Sequence, residues 1–118
     1  MRLAIVSQPY YPLLGGVTEH VWHLGTELQR RGHEVTIITG GVQHPEDRGL
    51  RVLRTGKQLP LTINGANLHV TLAWKLGRWL QRVEERERFD LVHIHSPLDP
   101  ILPLIAAKTM RTPKVGTF

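Results

Sequence analysis

At 118 residues, 41% hydrophobic and 21% charged, the chain is long enough for one packed domain, too short for two, and not composed like a disordered segment. The absence of cysteine excludes disulfides, thiolate nucleophiles and cysteine-zinc sites and suits a reducing cytoplasm. A formal charge of +5 and a pI near 10.2 favour an anionic partner such as nucleic acid, a phosphorylated ligand or an acidic lipid surface, and no apolar run approaches a signal-peptide core or the roughly 20 residues of a membrane span.

The first apolar run, "RLAIVS" (residues 2–7), is short and β-rich. After it, "YYPLLGGVTEHV" (Tyr10–Val21) sets Gly15 and Gly16 between an aromatic-proline turn and a helical pattern marked by Val17, Val21, Leu24, Gly25 and Leu28. Gly32 stops that helix, Arg30 and Arg31 sit in its last turn where they oppose the dipole, and "EVTIIT" reads as a second strand. A turn-rich connection, "GGVQHPEDRG", leads to a short third strand, "LRVLR", and then to a loop, "TGKQLPLTINGAN". From Leu68 to Arg88 the pattern is helical, with Leu72, Leu76, Trp79, Leu80 and Val83 on one face. "FDLVHIH" has the continuous apolar character of a buried parallel strand. Asp99 can cap a helix that starts at Pro100 and runs through Leu102 to Thr109, Pro103 being tolerated in the first turn. "PKVGTF" closes the chain as a last strand at or near a sheet edge. Strands alternating with helices predict an α/β, Rossmann-like doubly wound parallel sheet with right-handed crossovers and helices on both faces.

In such a fold ligands sit beyond the carboxyl ends of the strands, beside the first one. Gly15 and Gly16 fall there, ahead of a helix whose first amides and dipole favour an anion such as a diphosphate. The same pair also fits a tight turn with no ligand. The chain carries neither G-x-G-x-x-G nor a GKS/GKT phosphate loop, which disfavours a nicotinamide dehydrogenase. His20 and His23 share a helix face, and His93 and His95 share a strand face. Neither pair has a matched carboxylate or a third ligand at a recognised spacing, so no metal and no cofactor are read. His95 ends its strand at the ligand edge, His93 suits a hydrogen-bonded core position, and Ser96, Asp99 and Asn64 are further rim candidates that equally suit turns or caps.

Taken together, "MRLAIVSQPYYPLLGGVTEHVWHLGTELQRRGHEVTIIT", "TGKQLPLTINGA" and "FDLVHIHSPLDP…PKVGTF" resemble the N-terminal Rossmann-like domain of GT-B retaining glycosyltransferases, and within them the phosphatidylinositol mannosyltransferases and related group 1 enzymes. The resemblance spans the whole chain. It implies that Gly15 and Gly16 approach the diphosphate of a nucleotide-sugar donor. It also implies that Asn64, in the family's Asn-Gly, lies on the acceptor side, where the family's arginine five residues on is His69 here. Tyr10, His95 and Ser96 complete the acceptor-side candidates. The family's catalytic-site histidine follows the Thr-Phe that ends the last strand, a position after Phe118, and the family's second Rossmann-like domain carries its paired glutamates and most donor contacts. The chain therefore reads as the truncated, acceptor-side part of a transferase, inactive alone, using a GDP- or UDP-hexose and a lipid-linked or polyol acceptor.

A stand-alone binding or oligomerising module is the alternative; nucleic-acid binding rests on charge alone, since the strands look buried rather than aromatic and exposed. Along the long helix Lys75, Arg78, Arg82 and Arg86 form a basic stripe bordered by Trp79, the pattern of a helix lying on anionic headgroups at the inner face of a membrane. Glu84, Glu85 and Glu87 on the same helix would offset that field. The closing strand, left at an edge, is a candidate for self-association.

Overall fold

The computed structural model describes residues 1–8, 10, 15–41, 48–55, 66–98 and 102–117, with backbone alone over 66–73. In chain order the elements are β1 (Arg2–Val6), α1 (Gly16–Arg30), β2 (Glu34–Thr39), β3 (Arg51–Arg54), α2 (Ala66–Glu87), β4 (Leu91–His95), α3 (Leu102–Thr109) and β5 (Lys114–Thr117). The strands form one parallel sheet in the order β3-β2-β1-β4-β5. β1 lies at its centre and is buried on both sides, which is why Leu3 to Val6 are apolar without alternation.

Alternate residues of the central strands feed two cores. Ala4, Val6, Ile38, Val92 and Ile94 point to the side covered by α2 and α3, where Leu76, Leu80, Val83, Leu102 and Ile105 pack on them. Ile5, Val35, Ile37 and Val52 point the other way, to Val21 of α1 and to Tyr10 and Leu50. Helices thus lie on both faces, as the alternation of elements predicts. Complete burial of a side chain such as Ile37 or Leu80 is worth about 1.5–3 kcal/mol. Gly25 lets α1 settle close to the sheet, because a Cβ there would lie 2.8 Å from Leu50 Cδ1. Gly32 follows the helix with φ of 93°, a left-handed conformation that glycine adopts at little cost.

Several boundaries differ from the sequence reading. α1 starts at Gly16, so Thr18 takes an inward position at 1% exposure while Val17, placed by its spacing on the apolar face, is 39% exposed. α2 starts at Ala66, two residues before Leu68. β4 starts at Leu91 because Asp90 is used otherwise: its carboxylate accepts the Arg2 N–H at 2.7 Å. Phe89 is buried and closes the core beneath that turn. Asp99 and Pro100, expected to cap α3, lie outside the described residues.

The last turn of α2 is anchored by charge. Glu87, buried, accepts Arg51 from β3 and pairs with Arg2 from β1 at 3.8 Å. Glu84 accepts both the backbone N–H and the hydroxyl of Thr112.

Candidate functional site

β1 and β4 are neighbours at the middle of the sheet, yet the helices that follow them pack on opposite faces, α1 on one and α3 on the other. Such a divergence marks the carboxyl ends of the two strands as the switch point, the crevice where open α/β sheets bind ligands. The chain leaves β1 through Ser7, fully buried, whose N–H donates to the Ile38 carbonyl at 3.0 Å. Gln8 then ties three elements together. Its carbonyl accepts the Thr39 hydroxyl at 3.0 Å, and its side-chain Oε1 accepts the Leu102 N–H at 3.2 Å.

The two helix starts at this edge are consequently different. Gln8 caps α3, whereas α1 begins on Gly15, which has no side chain to cap with. The first intrahelical bond of α1 runs from the Glu19 N–H to the Gly15 carbonyl at 3.1 Å, so the amides before it have no acceptor within the helix. Among the described residues no atom lies within 4 Å of where a Cβ would sit on Gly15 or Gly16. Gly16 is helical, and neither packing nor backbone conformation requires glycine there. Among the described residues the backbone is open to approach there, at a helix start whose amides and dipole suit an anion.

On the far side of the crevice His95 ends β4, and Ser96 turns the chain sharply with φ of 54°. That left-handed conformation costs a non-glycine residue roughly 1–2 kcal/mol, and the Ser96 N–H donates to the Thr117 carbonyl at 2.6 Å. The His95 ring faces that of His20 from α1, with centroids 5.3 Å apart. Two residues back, His93 Nε2 and Thr117 Oγ1 are hydrogen-bonded at 2.7 Å. Burial holds the His93 imidazole below its ordinary pKa of 6.5, with His95 and His20 adding like-charge repulsion. Among the described residues no group of three His, Cys, Asp or Glu side chains is arranged to hold a metal ion.

The structure therefore brings Gly15, Gly16, His95 and Ser96 to one end of the sheet. Tyr10 is 2% exposed and belongs to the core beneath α1. Asn64 and Asp99 lie outside the described residues, as does the side chain of His69, whose backbone is in α2. Gln8, Thr117 and the facing of His20 on His95 were not legible as site features. The one signal available was spacing, because His20 follows Gly16 by four residues and so shares its helix face.

The stripe on α2 is exposed at Lys75, Arg78, Arg82 and Arg86. Trp79, assigned to its border, is half-buried against the core; the exposed aromatic is Trp74, with the Arg78 guanidinium 5.1 Å from its ring. Of the three glutamates expected to offset the stripe, Glu84 is engaged by Thr112 and Glu87 is buried between arginines, leaving Glu85 exposed. No helix among the described residues is long and apolar enough to cross a membrane. A cavity of about 320 Å³ lies at the opposite, amino end of the strands, lined by Arg2, His33, Glu34, Arg51 and Phe89. Its guanidinium groups are already engaged by Glu34 and Glu87, and it is remote from the glycine loop.

Residues 14–118 match the family model described as Glycosyltransferase Family 4. Over its whole length the chain is 33% identical to a phosphatidyl-myo-inositol mannosyltransferase of Propionibacterium freudenreichii subsp. shermanii, of which it covers 32%. It is 34% identical to a GDP-mannose-dependent alpha-mannosyltransferase of Mycolicibacterium smegmatis, with all of the chain and again 32% of the relative covered. A sucrose-phosphate synthase structure from Thermosynechococcus elongatus shares the fold, with a TM-score of 0.64 at 20% identity over 99% of this chain and 32% of that one. The chain thus spans about a third of the length of these curated relatives. With the family model covering nearly all of it, the chain belongs to glycosyltransferase family 4.

Proposed function

We propose that this chain is the acceptor-side domain of a retaining glycosyltransferase that moves a hexose from a GDP- or UDP-sugar to a lipid-linked or polyol acceptor. The observation that carries the reading is the start of α1 at the switch point, which no side chain among the described residues caps or obstructs, so that Gly15 and Gly16 offer backbone amides to a donor diphosphate. The relatives' names, one citing phosphatidyl-myo-inositol and the other GDP-mannose, make GDP-mannose and phosphatidylinositol the first pair to try. Transition-state stabilisation in this chemistry needs positioned groups from both sides of a cleft, so the isolated chain is expected to be inactive. The direct experiment joins this chain to the remaining two thirds of the Propionibacterium relative and measures mannosyl transfer. Turnover by the joined protein and none by the chain alone is the expected result. A folded chimera without turnover, beside an active parent, would favour a stand-alone binding module.

The α2 surface supports a second, compatible reading, peripheral association with an anionic membrane. The four exposed cations outnumber Glu84 and Glu85, Glu87 is paired with Arg2 and Arg51, and the exposed Trp74 adds an aromatic, which leaves a net basic face. Each well-placed cation contributes about 1 kcal/mol near such a surface. Binding to acidic liposomes should fall with salt and be lost when Lys75, Arg78 and Arg82 become Gln; equal binding to neutral vesicles contradicts it.

A further inference from the structure

Among the described residues, few side chains hold the opening of α1. Gly15 and Gly16 contribute none, and Val17 and Glu19 are exposed. Thr18 and Val21 are buried against the sheet on the helix's inner side. On the side of the switch point, the ring of His20 lies against the ring of His95, with centroids 5.3 Å apart and planes inclined by 47°. These two residues belong to elements on either side of the switch point and are 75 positions apart in sequence.

His95 is a firm place to lean on. It is the last residue of β4 and pairs in register with Thr117 of the edge strand. The left-handed turn at Ser96 carries the chain away at once, and the Ser96 N–H fastens that turn to the Thr117 carbonyl. His93, on the same face of β4, is hydrogen-bonded to the Thr117 hydroxyl. The strand end is therefore fixed by three separate contacts to β5, while the helix start it faces is bare of side chains at its first residues.

We propose that His95 is a positioning residue: packed against His20, it pins the opening turns of α1 across the crevice and so sets where the amides of Gly16 and Val17 lie, a role that rests on the glycine loop being the donor-diphosphate site. Tilted aromatic contact of this kind restrains orientation as well as separation. His20 transmits the restraint directly, because it stands one helical turn beyond Gly16 on the same face. Neither imidazole needs to touch the donor for this.

The test is amide hydrogen exchange on the full chain, with GDP-mannose titration as a second arm. In His95→Ala the amides of Glu19, His20 and Val21 should exchange roughly two- to tenfold faster, the range an aromatic pair accounts for, with Ile5 and Ile37 unchanged. His20→Ala, at an exposed position, should reproduce the pattern, and the double variant should add nothing to either single change. His95→Phe, which keeps the ring, should restore slow exchange. GDP-mannose affinity should fall and recover in parallel. Unchanged exchange in His95→Ala, no rescue by Phe, or acceleration spread evenly through β1 and β2 would each overturn the proposal. Should the unaltered chain fail to bind GDP-mannose while exchange follows the expected pattern, the donor reading of the loop falls and the pinning stands.

Discussion

Replacing Gly16 by Val separates a ligand site from a mere turn. The position is helical, and among the described residues nothing lies within 4 Å of a Cβ built there, so a side chain can be added without a clash. Valine is a slightly better helix former than glycine and reduces the freedom of the unfolded chain. Folding stability should therefore change by less than about 0.5 kcal/mol, a shift in melting temperature of no more than about 3 °C for a domain of this size. Donor binding should respond very differently. The isopropyl group would occupy the space through which a diphosphate reaches the helix amides, removing charge-assisted hydrogen bonds worth about 1.5–3 kcal/mol, or roughly a 10- to 100-fold loss of affinity. Thermal melting of the chain and GDP-mannose titration of the chain joined to the relative's remaining two thirds, each with and without the substitution, provide the two numbers. If affinity is untouched while the melting temperature falls sharply, Gly16 serves the turn alone and the argument from open space fails.

His93 gives a pH dependence with a definite sign. Its folded-state pKa lies below the ordinary 6.5 because burial, then His95 and His20, disfavour the charged ring. The unfolded chain thus binds the proton more readily, and stability should be intact above about pH 6.5 and decline as pH falls through the interval below it. His93→Gln should flatten that limb, and an unchanged slope would show that other groups produce it. Glu87→Gln removes the charge shared by Arg2 and Arg51; since both arginines are about half exposed and can turn to water, the cost should be about 1–2 kcal/mol, read as a denaturant midpoint shift. β5 occupies a sheet edge with Val115 48% exposed, so self-association through that edge is expected by light scattering at high concentration and should weaken in Val115→Lys. A strictly monomeric species would contradict it.

The order of elements was legible because apolar runs mark β1, β2 and β4 and helical spacing marks α1 and α2; glycine punctuation at Gly32 marked a true helix end. Val17 lies outside the inward face because Thr18, three and seven residues before the buried Val21 and Gly25, takes that place on the helix. The beginning of β4 was misjudged because an apolar Phe89 serves the core without joining the ladder, while Asp90 spends its carboxylate on the Arg2 N–H. At the site, the glycine pair could be read from its place between a strand and a helix. The contact of His20 with His95 could not, since it joins residues that only the parallel crossover brings together. For the same reason sequence does not reveal that two of the three glutamates of α2 are engaged by Thr112, Arg2 and Arg51. Trp74 and Trp79 likewise differ in exposure only because of where the core meets α2.

The most direct test is to map GDP-mannose onto the chain by amide chemical shifts. Saturable shifts should begin at Gly15, Gly16, Val17 and Thr18, extend to Ser96 across the crevice, and be reproduced in the loop by pyrophosphate. Shifts centred on Arg2, His33 and Arg51 at the amino end of the sheet, or no shifts at millimolar GDP-mannose, would contradict the donor reading of the loop.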